Sequence, residues 1–451
     1  MLSRRLLFRR LLKMRHHGYL SNFWDSLPNY TRGLRQELAR LETLPAQMAY
    51  RVVGATALLL FSALCGVFAH ADEGVSATEL KIGNTAPYSG PLSRDSTMQK
   101  AEAAYFRKVN DAGGINGRKL VFISYDDGYS PPRTYEMTRR LVEQDHVLLL
   151  FSSLGTPTNA AVWKYLNDHQ VPQLFLESGA SKWGDPKGHP WTIGFRPTYY
   201  GEGNAWAQYV LRRIPDARVG ILYQNDDLGK DFVSGFKGGL GSAAKKLIVM
   251  EQTYEVSDPT IDSQIVNLKN SGANVFLNVT VGKFTTQALR KVYVLGWHPV
   301  QFITSVESSI SAVLRPAGLE ASKGTIVGLY EKDPADSRWL NDVDVKDYLA
   351  FMKMYAPGAD PDDEFNVRGY IQAHALVWVL RRCDGDLTRI NIMHQATNMH
   401  DVHLAMMLPG IVVNTSPRDF YPLKQLQLGR FNGERWEPFG EVIRVESRRP
   451  R

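Results

Sequence analysis

The most informative chemistry in the sequence lies where a buried strand is predicted to end in small polar residues. The apolar run Val147–Phe151 is followed directly by the small and hydroxylated residues of Ser152–Thr158, and then by a segment that predicts a helix. The first N–H groups of a helix have no partner within it, so they and nearby hydroxyl groups form a favourable site for an anion. This junction therefore predicts a binding site for a carboxylate group.

Five other predicted strand ends carry the same kind of residues. A single loop of this composition is usually a simple turn. Because parallel strands have their carboxyl ends at one edge of a sheet, we expect all of these loops to meet along a shared cleft. The six strand-end segments are Pro87–Ser93, Ser152–Thr158, Glu177–Trp183, Gln224–Gly229, Thr280–Phe284 and Ser305–Ser309.

The sequence contains fragments of catalytic and cofactor-binding motifs, but each lacks the neighbouring residues or elements that the motif requires. Gly239–Ala244 has the letters of a dinucleotide-binding loop, but it follows a predicted helix instead of a strand and better fits the end of that helix. His400 and His403 have no adjacent glutamate to suggest zinc, and the sequence has no G-x-S-x-G elbow for a nucleophilic serine. The pairs Asp126-Asp127 and Asp226-Asp227 precede predicted helices, where capping is the default role. We therefore expect no enzyme, no cofactor and no metal.

Predicted strands and helices alternate along most of the chain, which predicts an α/β fold with mostly parallel sheets. The alternation restarts near residue 197, so we expect two Rossmann-like lobes joined by a hinge. The C-terminal stretch alternates instead like an antiparallel hairpin with its turn at Asn432-Gly433. The expected boundaries are 78–197 for the first part of lobe 1, 198–325 for the first part of lobe 2, 326–405 for the second part of lobe 1, and 406–451 for the closing segment of lobe 2 with the tail.

The net charge of +7 comes from the N-terminal part of the chain. Residues 1–71 hold ten Lys and Arg against three Asp and Glu, and the remainder is neutral, which argues against a nucleic-acid partner. Residues 48–71 combine one positive charge, an uncharged apolar run and a small-x-small site, the pattern of a secretory signal peptide; a retained membrane anchor is the alternative. Residues 1–47 form a basic extension that we do not expect to join the fold. Cys383, at the end of an apolar helical pattern, is expected to be structural.

The segments "IGNTAPYSGP", "KVNDAGGINGRKL", "SSLGTPTNAAV" and "ILYQNDDLGKD" resemble the branched-chain amino-acid (Leu/Ile/Val) binding proteins, the solute-binding components of ABC importers. The resemblance extends over residues 77–445. It implies a periplasmic binding protein of type I, whose two lobes close about a hinge around a small solute. A membrane permease is the implied partner, and we expect a monomer.

The resemblance also implies which residues contact the ligand. The family fixes a ligand carboxylate on hydroxyl and main-chain N–H groups of the first lobe. In the second lobe, Leu228 stands where amino-acid binders place an aromatic residue. Glu307, or Ser308 if the alignment slides by one, lies near the acid that pairs with a ligand ammonium. The expected ligand contacts are Ser89, Ser153, Leu154, Gly155, Gly179, Ser181, Tyr199, Leu228, Thr280, Phe284 and Glu307.

The ligand class stays open between amino acids and other organic acids. Trp183, Tyr199, Tyr200 and Phe284 suit a planar ligand, but each fits core packing equally well. The segment "GASKWGDP" is most similar to a family branch associated with aromatic and other organic acids. The expected function is capture of a small carboxylate for a permease. The alternatives are a ligand-sensing clamp of a signalling system and a Rossmann-like enzyme.

Overall fold

The computed structural model describes residues 73–445. The predicted basic extension and signal peptide therefore lie outside the described residues. Residues 73–445 belong to one compact unit. Within the described part of the chain, no helix combines the length and the apolar character needed to cross a bilayer.

The first sheet has five parallel strands in the order β2-β1-β3-β4-β5. Leu149–Phe151 has no exposed side chain, as expected for a strand covered on both faces. The strands are β1 Glu79–Ala86, β2 Lys119–Asp126, β3 Leu149–Phe151, β4 Gln173–Leu176 and β5 Thr192–Gly194, and the helices between them are α1 Thr97–Asp111, α2 Pro131–Glu143 and α3 Thr156–Asp168.

The second sheet has seven strands in the order β12-β11-β10-β9-β8-β6-β7. Five are parallel, and the last two form the predicted antiparallel hairpin, which turns at Asn432-Gly433. The strands are β6 Val219–Gln224, β7 Ile248–Tyr254, β8 Val275–Val279, β9 Val300–Ile303, β10 Ile326–Leu329, β11 Gln425–Phe431 and β12 Trp436–Arg444. The helices of eight residues or more are α4 Tyr199–Arg213, α5 Asp227–Leu240, α6 Asp262–Asn270 and α7 Lys283–Val294.

Three further helices return to the first sheet: α8 Val343–Tyr355, α9 Glu364–Arg382 and α10 Arg389–Ala396. Helix α9 lies directly against α1, because a Cβ on Gly369 would stand 2.3 Å from the Met98 carbonyl oxygen. Side chains of both helices belong to one core with β1 and β3. Cys383 is buried there, and its Sγ donates to the Val379 carbonyl oxygen at 3.4 Å.

The α/β class and the mostly parallel sheets are confirmed. The expected boundary at residue 325 needs a correction, because β10 pairs with β9 on one side and β11 on the other. The chain therefore leaves the second sheet only after Leu329. Gly241 ends α5 with a φ of +57°, so the dinucleotide-like glycines do terminate a helix.

Candidate functional site

A small cavity lies between the carboxyl ends of the two sheets. Its volume is about 20 Å³, room for about one water molecule. Each of the six predicted strand-end segments supplies at least one lining residue. The cavity is lined by Leu92, Asp95, Met98, Tyr129, Leu154, Gly155, Thr156, Glu177, Tyr199, Leu228, Val281, Val306 and Phe365.

The first turn of α3 opens on this cavity. Gly155 precedes the helix with a φ of +108°, and its N–H donates to the Glu177 carbonyl oxygen at 3.1 Å. The hydroxyl groups of Thr156 and Ser178 share a hydrogen bond of 2.7 Å. The positive end of the helix dipole therefore faces the cavity, which favours an anionic group there.

Glu177, which lines the cavity, belongs to a buried polar chain that joins the two sheets. Arg196 Nη1 pairs with Glu177 Oε1, and Gln372 Nε2 donates to Glu177 Oε2. Arg196 Nη2 donates to Ser305 Oγ at 3.2 Å, and Ser305 Oγ donates in turn to Glu202 Oε2 at 2.7 Å. Burial raises the pKa of Glu202 to about 7. The charge of Glu177 is thus neutralised by Arg196 and not left for a ligand.

A second buried charged group surrounds Asp95. Arg94 Nε lies 3.4 Å from Asp95 Oδ1, and Arg94 Nη2 donates to Glu307 Oε2 at 2.9 Å. The N–H of Gly282 donates to Glu307 Oε1 at 2.9 Å. Burial raises the pKa of Asp95 well above its usual range and the Glu307 carboxylate raises it further, against the Arg94 guanidinium. Burial also raises the pKa of Glu307, with Arg94 opposing.

The wall contributed by the second sheet is apolar at Leu228, Val281 and Val306. Tyr199, also a lining residue, is almost fully buried and stacks on Phe232, with ring centroids 4.8 Å apart. Apolar side chains around a few polar groups are typical of a site for a small organic ligand.

Four of the eleven expected ligand contacts line the cavity: Leu154, Gly155, Tyr199 and Leu228. The hydroxyl groups expected to contact the ligand have hydrogen-bond partners within the protein. Ser153 Oγ accepts from the Thr85 N–H at 3.2 Å. Ser89 is exposed, and its Oγ donates to Asp126 Oδ2 at 2.7 Å. Ser181 Oγ donates to Asp231 Oδ2 at 2.7 Å, a contact between the loop after β4 and α5.

The remaining expected contacts lie behind the cavity wall. A Cβ on Gly179 would stand 2.7 Å from the Tyr199 ring, so this glycine makes room for that side chain. Thr280 Oγ1 donates to Asn278 Oδ1 at 2.6 Å. Phe284 packs on Tyr254 at 4.5 Å between ring centroids, within the core of the second sheet. Glu307 is fully buried beside the lining residue Val306.

Sequence reasoning missed four of the lining residues, Asp95, Met98, Tyr129 and Phe365. Asp95 lies two residues beyond a predicted strand-end segment, and Tyr129 two residues beyond the Asp126-Asp127 pair. Extending each of these segments by two residues would have included both. Phe365 could not be predicted from the strand ends, because it is the second residue of helix α9 and directly follows no strand of either sheet.

Within the described residues, no group of three or more His, Cys, Asp or Glu side chains is arranged to hold a metal ion. Asp226 caps α5 by accepting from the N–H groups of Leu228 and Gly229. The capping role expected for this acidic pair is thus present in the structure.

The family described as Periplasmic binding protein matches residues 79–423, most of the chain. The fold and this match define the class: the chain belongs to the periplasmic binding proteins of type I. The sequence relatives that the chain matches include Leu/Ile/Val-binding proteins.

Relatives by sequence are distant. The chain is 22% identical over 244 residues to the leucine-, isoleucine-, valine-, threonine- and alanine-binding protein of Pseudomonas aeruginosa, covering 53% of this chain and 59% of that relative. It is 21% identical over 328 residues to Leu/Ile/Val-binding protein homolog 7 of Brucella abortus, covering 69% and 79%. The match thus spans less than two thirds of the Pseudomonas relative's length.

Solved structures share the fold. A branched-chain amino-acid ABC transporter protein from Thermus thermophilus with bound valine has a TM-score of 0.72 at 15% identity, covering 83% of this chain and 98% of that chain. A substrate-binding periplasmic protein from Ralstonia solanacearum has a TM-score of 0.71 at 20% identity, covering 81% and 100%. A fatty acid ABC transporter substrate-binding protein from Thermomonospora curvata has a TM-score of 0.67 at 19% identity, covering 83% and 95%.

Proposed function

We propose that this protein captures a small carboxylate in the cavity between its two sheets and delivers it to the permease of an ABC importer. The capture takes place in the periplasm and involves no catalysis. The observation that carries the proposal is the cavity itself, because loops from the carboxyl ends of both sheets line it. A solute held there would contact both halves of the molecule at once.

The carboxylate belongs at the first turn of α3. Gly155 and Thr156 line the cavity at the positive end of this helix. The apolar wall of Leu228, Val281 and Val306 then receives the hydrocarbon part of the solute.

The contacts between the two sides suit two lobes that close on the solute. Arg94, before α1, donates to the carbonyl oxygens of Gly282 and Ala312 at 2.8 and 2.7 Å. At another point of the cleft, Lys182 Nζ lies 2.7 Å from Asp227 Oδ2. These contacts form only when the lobes meet, so closure and capture are coupled.

A melting experiment tests the proposal. Leucine, isoleucine, valine, benzoate and cinnamate are added singly to the purified protein, and the unfolding midpoint is measured. A ligand at about 100 times its dissociation constant stabilises the native state by about 2.7 kcal/mol, so a true ligand raises the midpoint by several degrees.

The pattern of shifts separates the ligand classes. A shift with aliphatic amino acids but not with benzoate or cinnamate removes the assignment to aromatic acids, and the reverse result supports it. If isothermal titration with each of these acids also gives no heat of binding, capture of a small carboxylate is contradicted.

A further inference from the structure

A groove lies between helix α4 and the hairpin of β11 and β12, away from the cavity between the sheets. Its volume is about 750 Å³, which is within the range of sites for small organic ligands. The cavity between the sheets has about 20 Å³, and the two share no lining residue. The groove is therefore a separate concave surface of the second sheet.

The wall and the floor of the groove come from regular elements. Ala205, Tyr209 and Arg213 follow one another at intervals of four residues, so they lie on one face of α4. This face is about 12 Å long from the first to the last of them. On the floor, Leu428 of β11 pairs with Phe439 of β12. The Phe439 ring meets the Tyr209 ring edge to face, with centroids 5.7 Å apart.

Three arginines gather at one end of the groove. Arg212 and Arg213 belong to the last turn of α4. Arg430 lies beside that part of the helix, because its Nη2 donates to Tyr209 Oη at 2.8 Å. Its guanidinium also lies 5.4 Å from the centroid of the Phe439 ring. None of the three arginines forms an ion pair with a carboxylate of the described residues.

The opposite end of the groove is apolar. Ile443 lines the groove and pairs in the hairpin with Leu426. Leu426 lies near the beginning of α4, because a Cβ on Gly328 would stand 3.2 Å from Leu426 Cδ2 and 3.1 Å from Glu202 Oε1. The groove thus runs along α4 from an apolar end to a basic end.

Two glutamates also line the groove. Glu437 stands opposite Arg430 in the hairpin, but its Oε1 accepts from Asn432 Nδ2 at 2.8 Å and lies 3.9 Å from Arg435 Nη2. It is therefore held at the turn of the hairpin. Glu441 lies at the irregularity of β12 and is exposed. Three arginines against these two acids leave the basic end with an excess of positive charge.

The parts of the chain outside the described residues do not complement this charge. Residues 1–71 hold ten Lys and Arg against three Asp and Glu. The segment after Val445 holds Arg448, Arg449 and Arg451 against one glutamate. Both segments are cationic and are repelled by the basic end of the groove. The complementary occupant is an anion with an apolar body.

We propose that this groove is a second binding site, which takes an organic anion with one acidic head and an unbranched hydrocarbon chain. The head pairs with the guanidinium groups of Arg213 and Arg430, whose fork of N–H donors matches a carboxylate. The chain lies over Leu428, Phe439 and Ile443, where its burial is favourable. The site goes beyond the proposed capture of a small carboxylate and does not depend on it.

Isothermal titration with dodecanoate, kept below its critical micelle concentration, tests the proposal on the purified protein. We expect one dodecanoate to bind per chain. Each half-buried methylene adds about 2-fold in affinity, so octanoate should bind at least about 10-fold more weakly. Dodecanamide has the chain without the charge, and it should also bind at least about 10-fold more weakly.

Variants of the basic end assign the binding to the groove. Arg213→Gln and Arg430→Gln should each weaken dodecanoate binding by about 5-fold or more. The matched control is Arg381→Gln, which removes an exposed arginine from the last turn of α9 and should leave binding unchanged. Because Arg213 and Arg381 both end a helix, the control accounts for effects on helix stability.

A second comparison separates the groove from the cavity between the sheets. Val306→Trp alters the cavity and should leave dodecanoate binding unchanged. Loss of dodecanoate binding in Val306→Trp but not in Arg430→Gln would overturn the proposal. So would absence of dodecanoate binding, or equal binding of dodecanamide. Cosedimentation with vesicles of phosphatidylcholine and phosphatidylglycerol, without binding of dodecanoate in solution, would show a membrane contact instead and would also overturn it. The small carboxylates of the melting experiment should bind Arg430→Gln normally, so failure of the groove leaves their capture untouched.

Discussion

Gly155 shows at the scale of one residue how the backbone shapes the cavity. Its φ of +108° and ψ of 149° are tolerated almost only by glycine. A Cβ there would stand 2.5 Å from both Tyr129 Cε2 and Thr158 Oγ1. Glycine therefore allows Tyr129 to lie against the first turn of α3, where the carboxylate is proposed to bind.

We expect Gly155→Ala to lower the free energy of unfolding by about 3 kcal/mol or more, because backbone strain and a steric clash add. Gly117 is the matched control. Its φ is +79°, but a Cβ there meets nothing within 4 Å. Gly117→Ala should cost only the backbone term of about 1–2 kcal/mol. Urea unfolding of both variants measures the difference in their free energies of unfolding. Equal losses of stability would show that the contact with Tyr129 is unimportant.

The sequence predicted the loops of the site better than the side chains within them. All six strand-end segments reach the cavity, because the carboxyl ends of parallel strands share an edge. Which residue of each loop faces inward depends on backbone turns that composition does not encode. Glu307 and Val306 illustrate the limit: a shift of one residue exchanges an expected charged contact for an apolar one.

At the scale of elements, the segment between β1 and α1 closes the cleft. Besides Arg94, the loop carries Leu92, whose side chain lies close to Gly282 on the other side. A Cβ on Gly282 would stand 3.0 Å from the Pro91 carbonyl oxygen. The two loops are thus in close contact, and the hydrogen bonds of Arg94 stabilise this contact.

We expect Arg94→Met to destabilise the protein by about 3–5 kcal/mol, because it leaves Glu307 buried without its cation. The double variant Arg94→Met/Glu307→Gln should recover much of that loss. Lys182→Met removes the more exposed pair with Asp227 and should cost at most about 1 kcal/mol. Chemical denaturation measures the free energy of unfolding of all three variants. A loss for Arg94→Met no larger than that for Lys182→Met would contradict a closing role.

The sequence predicted helix α9 itself but not the helix on which it packs. The apolar helical pattern that ends at Cys383 is a helix in the structure, at Glu364–Arg382. Its docking on α1, which brings Phe365 to the cavity, depends on packing between segments more than 250 residues apart in sequence. Periodicity identifies a helix and its buried face but not the partner of that face.

At the scale of the whole molecule, loops from the two sheets line one shared cavity. The alternation of strands and helices predicted both sheets, because each strand–helix unit has a local signature. The three connections between the sheets, residues 195–198, 330–342 and 397–424, have no such signature. This is why the expected boundary fell before β10 instead of after it.

A tryptophan introduced into the apolar wall of the cavity tests most directly whether the solute binds there. Val306→Trp places a large side chain where the solute should lie, and Val294→Trp adds the same group at an exposed position of α7. The measurement is isothermal titration with the tightest ligand of the melting screen, after circular dichroism has shown that both variants are folded. We expect Val306→Trp to lose at least about 100-fold in affinity and Val294→Trp to bind normally. Normal binding by a folded Val306→Trp variant would contradict the claim that the solute lies between the sheets.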